Sequence, residues 1–265
     1  MIEANCVTVA LGGRPILKDV DFQARPGELT AIIGPNGSGK TTLLRALTGE
    51  LPATGDITFN GRDLGGYKPW QLAAKRAVLP QSTSLSFPFT VREIVRLGVT
   101  AGLLQADRRL GERLPDMALE RVDLAGYAGR FYQELSGGEQ QRVQLARVLC
   151  QVWRPVEDGE AKWLFLDEPV SSLDIRHQLD IMALARDFAR AGGGVVAVMH
   201  DLNLTAMHAD RVAVLHRGRL LVQGDVRTVI SDSVLGQAYG CNLRVSRAPS
   251  DGGLFVLPQS VGAGG

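Results

Sequence analysis

The chain has no apolar run approaching the roughly 18 residues that a membrane-spanning helix needs, so any work at a membrane must pass through a partner. Its start, Met1-Ile2-Glu3-Ala4-Asn5, lacks a basic segment followed by a long apolar stretch and does not read as a secretory signal. It also lacks a surplus of charge. Lys and Arg total 29 against 28 Asp and Glu, a formal +1, so no global field draws nucleic acid or anionic lipid, and no nucleic-acid partner is expected. Any anion site must be local. Cysteines are few, and Cys6, Cys150 and Cys241 show neither CxxC nor zinc-ligand spacing. They are expected as small buried apolar side chains in a reducing compartment. Repeats and low-complexity segments are absent. What remains, 265 residues with 45% hydrophobic and 22% charged side chains, suits one α/β body carrying a sub-domain.

Periodicity supplies the elements. Residues 2–24 read as two strands around Gly12-Gly13, with Val7, Val9 and Leu11 alternating before Ile16, Val20 and Phe22. Leu29 to Ile33 is short and β-branched, as for a strand buried on both faces, and helical spacing runs from Thr41 to Leu51. Thr54 to Asn60 and Arg76 to Leu79 look like further strands. Helical signals then dominate from about Thr90 to Cys150, Thr90 with Glu93 forming a capping box and Asp107 offering another cap. Gln151 to Lys162 reads as a polar surface loop. Beyond it, Leu164 to Leu166 and Val195 to Met199 (strands) alternate with Ile175 to Ala191 and Leu202 to His208 (helices). Such alternation predicts a mostly parallel sheet with helices on its faces, interrupted by a helical insertion. The tail after Ser246 is rich in Gly, Ser and Pro, and its end, Gly262-Ala263-Gly264-Gly265, is expected to fray.

Three segments carry chemistry. Gly34-Pro35-Asn36-Gly37-Ser38-Gly39-Lys40-Thr41, followed by Thr42, fits G-x-x-x-x-G-K-[ST] between a strand and a helix. Glycines let successive N–H groups turn inward around phosphate oxygens, and the helix dipole adds positive potential there. Lys40 is expected to reach the β- and γ-phosphates, and the Thr41 hydroxyl to bind Mg²⁺. Trp163 to Glu168 is an apolar strand ending in two acids. Asp167 is placed to hold Mg²⁺; Glu168, on the other side by strand alternation, can polarise water as a general base. Taken alone, the pair also fits two solvated acids at a strand end. Leu135-Ser136-Gly137-Gly138-Glu139-Gln140 opens a helix with a capping box and is either a second anion site or a structural cap.

These segments, with a later His200, stand in the order and spacing of ATP-binding cassette proteins, which residues 1–245 resemble. The resemblance implies a P-loop α/β core with an N-terminal antiparallel β-subdomain, a helical insertion at about 84–158 and a short tail at 246–265. It implies ATP and Mg²⁺ as ligands and a head-to-tail dimer, in which Ser136, Gly137 and Gly138 of one copy contact the γ-phosphate held by the other. Gln81, in Leu79-Pro80-Gln81, resembles the glutamine that senses Mg²⁺ and the attacking water. Asp174, in Ser171-Ser172-Leu173-Asp174, resembles the loop joining the two sites, and His200 the histidine at the γ-phosphate. His177, His208 and His216 match no motif of the family. One departure concerns adenine: where the family often has an aromatic residue, this chain offers Leu11.

Ser84 to Val91, Val170 to Gln178 and Val234 to Gly240 look like importers of iron complexes and cobalamin, haem importers most closely. That resemblance implies two transmembrane permease subunits, a periplasmic substrate-binding protein acting indirectly, and a peripheral seat on the cytoplasmic face of the bacterial inner membrane. Because the chain stops soon after Gly240, the extra regulatory barrel of sugar importers is not expected. Leu85, Phe87 and Phe89 are either a groove for a permease helix or core packing. A soluble cassette ATPase acting on DNA or ribosomes, and a non-hydrolysing nucleotide module, stand as alternatives. The first lacks the expected coiled coil and basic patches; the second would lack Glu168.

Overall fold

The computed structural model describes residues 1–83, 87–101, 108–250 and 252–260. Asp107 and Leu85 lie outside the described residues, as does the glycine-rich end. A six-stranded sheet forms the centre, in the order β12 (Arg219–Asp225), β11 (Arg211–His216), β3 (Leu29–Ile33), β10 (Gly194–Val198), β9 (Trp163–Asp167) and β6 (Arg76–Leu79). All pairings are parallel except β11 with β12. Every residue of β3, β9 and β10 is buried, and their side chains divide by period two between two cores. Ile32, Trp163, Phe165, Val196 and Val198 face one core; Leu29, Leu164, Leu166, Val195 and Ala197 face the other.

The first core is closed by α1 (Lys40–Leu47) and by an antiparallel sheet of β2 (Arg14–Ala24), β1 (Ile2–Leu11), β4 (Thr54–Phe59) and β5 (Arg62–Asp63). Helix α1 stops four residues short of the expected Leu51, because Gly49 takes a left-handed φ of 74° just past its end. A short helix, α2 (Pro69–Lys75), leads into β6. The second core lies under α3 (Val91–Ala101), α4 (Arg108–Arg121), α5 (Gly137–Gln151) and α6 (Ile175–Arg190). The Thr90 capping box forms: the Thr90 N–H and hydroxyl both donate to Glu93 Oε2 at 2.8 Å. Gly98 lets α3 approach α5 so closely that a Cβ there would collide with the Arg147 carbonyl.

Two expectations need correction. The segment from Gln151 to Lys162 is not a plain loop: α5 runs through Gln151, and β7 (Val156–Glu157) pairs with β8 (Glu160–Ala161) as a small hairpin. The hairpin buries Lys162, whose ammonium donates to the Ala74 carbonyl and pairs with Glu157 at 2.7 Å. Of the cysteines, only Cys150 is buried; Cys6 and Cys241 are exposed. Cys6 sits where the β1 register slips between Ala4 and Val7, with φ 51°, and that bulge turns it out of the core pattern. No helix among the described residues is long and apolar enough to cross a membrane. Further helices are α7 (Leu202–His208), α8 (Val226–Val229) and α9 (Asp232–Tyr239), and a 3-10 turn lies at Pro258–Ser260.

Candidate functional site

Parallel pairing sets the C-terminal ends of β3, β10, β9 and β6 side by side, the place where open α/β sheets bind ligands. Four loops leave from that edge. β3 releases the loop from Gly34; β10 leads to His200, β9 to Glu168 and β6 to Gln81. Together they border an open cavity of about 760 Å³ lined by Asn36, Gly37, Gly39, Lys40, Thr41, Thr42, Gln81, Glu168 and His200, with Ile16 and Ser171.

The phosphate-type loop folds as its glycines require. Gly34 has φ 147°, and a Cβ there would run into the Leu215 carbonyl; Gly39, the N-cap of α1, has φ 103°. Ser38 is buried, and Lys40 is 6% exposed. The Lys40 ammonium folds back on its own loop, donating to the carbonyls of Gly34 at 2.9 Å and Pro35 at 3.1 Å. Burial lowers its pKa, opposed by the charges of Glu168 and Asp167. The Thr41 hydroxyl donates to Asp167 Oδ1 at 3.0 Å. Burial raises the Asp167 pKa and outweighs the hydrogen bond from Thr41. A hydroxyl and a desolvated carboxylate at contact distance are hard oxygen donors of the kind Mg²⁺ takes, so this pair fits that ion.

Glu168 corrects the strand-alternation expectation. Its φ of 52° breaks the extended pattern after Asp167 and swings the carboxylate into the cavity. There Oε2 accepts from the Gln81 side-chain amide at 2.8 Å, and Oε1 lies 2.6 Å from His200 Nε2. A left-handed, non-glycine residue costs about 1 kcal/mol, a strain of the sort that collects at reacting groups. The three predicted catalytic side chains thus meet at one carboxylate. A water in the cavity beside Glu168 would face a base already fixed in position.

Ser136, Gly137, Gly138 and Asp174 do not line this cavity. Ser136 caps α5, its N–H donating to Glu139 Oε2 at 2.8 Å and its hydroxyl to the same oxygen at 2.7 Å. These bonds, the hydroxyl's first, hold the Glu139 carboxyl below its usual range. Asp174 caps α6 by accepting from the His177 N–H at 2.9 Å. Gln141 on α5 donates to the Glu168 carbonyl at 3.1 Å, so the α5 start and the acidic strand end share one scaffold.

Sequence reasoning missed Ile16 and Ser171, which line the cavity, whereas Leu11 does not. Ile16 is brought there by the β1–β2 hairpin folding beside the loop; its place in an alternating strand was the only available signal. Phe87 is 70% exposed, but Phe89 is half-buried against the core beneath the helices, so the expected exposed trio is not uniform.

Comparison with known proteins agrees with this geometry. The ABC transporter family profile matches residues 17–171. The Hemin import ATP-binding protein HmuV of Mesorhizobium japonicum is 62% identical over 98% of this chain and 99% of its own length. Its counterpart of the same name in Rhizobium meliloti is 60% identical over 98% and 99%. Among solved structures, a dimeric post-hydrolysis ATP-binding cassette bound to ADP and Pi superposes with a TM-score of 0.73 at 26% identity, covering 86% of this chain and 99% of that one. A matched profile over more than half the chain, and relatives aligned along nearly all of it, place the site in a known lineage: the chain belongs to the ABC transporter family.

Proposed function

We propose that this chain is the ATP-hydrolysing subunit of an importer of haem or a related iron complex. The observation that carries the chemistry is the carboxylate of Glu168, gripped by Gln81 and His200 at the rim of the phosphate loop. ATP phosphates lie against the loop amides of Gly34, Pro35, Asn36, Gly37, Ser38 and Gly39 and the start of α1 at Lys40, Thr41 and Thr42. Lys40 exchanges its two carbonyl partners for phosphate oxygens, which its desolvated position favours. Thr41 and Asp167, with Gln81, would hold Mg²⁺, which would neutralise charge on the transferring phosphoryl group. Glu168 accepts a proton from the attacking water, Gln81 orients that water, and His200 keeps the carboxylate aimed while its ring faces the γ-phosphate.

A second copy completes the site: its Ser136, Gly137 and Gly138 present the start of α5 to the γ-phosphate, and Asp174 joins the two sites. In this reading residues 1–245 are the cassette, about 84–158 its helical insertion and 246–265 a tail. Closure of the homodimer drives two transmembrane permease subunits on the cytoplasmic face of the inner membrane, with a periplasmic binding protein delivering ligand. Haem is favoured by the names of the relatives at 60% and 62% identity.

The test is reconstitution with its permease in proteoliposomes, with binding protein loaded by haem, a ferric siderophore or cobalamin. Haem-specific uptake with ATPase stimulation is the expected result. Stimulation by siderophore or cobalamin alone would reassign the cargo, and ATP turnover indifferent to the permease would end the transport reading.

A further inference from the structure

His177 matches no motif, yet it sits at the centre of a side-chain relay outside the phosphate cavity. Its ring Nδ1 lies 2.9 Å from Asp174 Oδ1, the same oxygen that accepts the His177 N–H. Its Nε2 lies 3.5 Å from Asp123 Oδ2 and makes no hydrogen bond. Asp123 follows α4 in a left-handed turn, φ 56°, and the carbonyls of Val122 and Asp123 accept from Arg142 Nη1 at 3.0 and 2.9 Å. Arg142 is a buried residue of α5, the helix that Ser136, Gly137 and Gly138 open. His177 is four-fifths covered, whereas both aspartates are mostly exposed, so the ring is the fixed member of the relay. Its backbone and ring N–H groups hold the Asp174 carboxyl below its usual range.

The same loop is braced from the other side. A Cβ on Gly138 would stand 3.1 Å from the Ser172 carbonyl, and the Gln178 amide donates to the carbonyls of Val170 and Leu173 at 3.2 and 3.0 Å. The loop 170–174 and the start of α5 therefore touch, and His177 fixes Asp174 at the end of that loop.

We infer that His177 is a positioning residue that holds the Asp174 carboxylate in one orientation, so that Asp174 and the Ser136 helix start meet a second copy as one rigid surface. This rests on the two-copy closure proposed above. The Asp174 arm is the shorter, and it sets the loop.

The experiment compares His177→Ala, His177→Asn and His177→Gln in the full-length protein. Asn places an amide N–H where Nδ1 stands and keeps the Asp174 arm; Gln reaches toward Asp123 and loses it. Steady-state ATPase activity gives kcat and KM, equilibrium binding gives the affinity of the isolated chain for nucleotide, and light scattering follows ATP-driven dimerisation in a Glu168→Gln background. Loss of one well-placed hydrogen bond predicts about a fivefold fall in kcat for Ala and Gln. ATP-driven dimerisation should weaken similarly, with single-chain nucleotide affinity unchanged and Asn near the parent. Equal activity and dimerisation in all variants would overturn the role, as would an equal loss in Asn, Gln and Ala tracking their melting temperatures. A Glu168→Gln parent that binds ATP yet never dimerises would instead sink the two-copy reading on which the inference stands.

Discussion

Replacing Glu168 by Gln isolates proton acceptance from every other property of the site. The carboxylate makes two contacts, accepting from the Gln81 amide at 2.8 Å and facing His200 Nε2 at 2.6 Å. A glutamine of the same shape keeps both: its oxygen accepts from Gln81, and its NH₂ donates to His200 Nε2 in the tautomer that carries the proton on Nδ1. The loop from Gly34 to Thr41 and the Thr41–Asp167 pair are untouched. Phosphate binding is therefore expected to survive, and only basicity is lost. Removing a positioned general base slows turnover roughly 100- to 10,000-fold, a rise in barrier of about 3–5 kcal/mol. The assay is phosphate release at saturating Mg²⁺-ATP, paired with equilibrium binding of ATP to the same preparation. The expected split is a kcat at least 100-fold down with affinity within about twofold of the parent. A fall in kcat under tenfold would show that Glu168 does not accept the proton, and that its grip by Gln81 and His200 is structural.

Four further outcomes follow from the same geometry. Ile16→Ala should weaken ATP binding about fivefold by removing apolar surface from the cavity wall, while Leu11→Ala should leave it within twofold; the opposite order in a binding titration would return adenine to Leu11. Burial pushes the Cys150 thiol up to about 12, so at pH 8 it is almost wholly protonated, and Ellman titration should count two native thiols and a third only in guanidinium; three fast thiols would contradict the fold around α5. Gly98→Ala forces α3 off the Arg147 carbonyl at about 1–3 kcal/mol, more than the gain of about 1 kcal/mol in helix propensity, so Tm should drop by about 4 °C; a rise in calorimetry would refute the close approach. Phe87→Asp, at a side chain 70% exposed, should abolish ligand stimulation of ATPase activity in the permease complex and spare basal turnover; unchanged stimulation removes Phe87 from the permease contact.

Local physics made much of this legible in the sequence. The short apolar runs Leu29 to Ile33 and Trp163 to Leu166 report strands buried on both faces, because each face meets its own core. Thr90 with Glu93 and Ser136 with Glu139 announce helix starts, since a hydroxyl and a carboxylate at that spacing satisfy free N–H groups wherever the helix lies. The misreadings arose where a single backbone dihedral overrode the pattern. Cys6, at φ 51°, leaves the alternation of β1, and Glu168, at φ 52°, leaves that of β9. Polarity misled in a different way at Lys162: a lysine in a polar stretch reads as solvent-facing, but a carbonyl and Glu157 satisfy its charge under the hairpin.

The convergence at the site is a matter of strand order, which no window of sequence contains. Gln81 and Glu168 are 87 residues apart, and Glu168 and His200 are 32 apart, yet the three meet within hydrogen-bond reach. They do so because β6, β9 and β10 are parallel neighbours in register, with Leu79 beside Leu166 and Asp167 beside Val198. Each reacting residue lies one or two positions beyond its strand, so the sheet delivers all three to one edge. β3 joins the same row and delivers the phosphate loop. A one-residue slip of β9 against β10 would move Glu168 along that edge and turn its side chain to the other face, breaking its contact with His200. Burial of Trp163 and Phe165 on one face, and of Leu164 and Leu166 on the other, offers such a slip no comparable packing. Asn60 adds a directional restraint by accepting from the Trp163 ring N–H at 2.8 Å. The register that positions Glu168 is thus fixed by large apolar side chains on the strand leading to it.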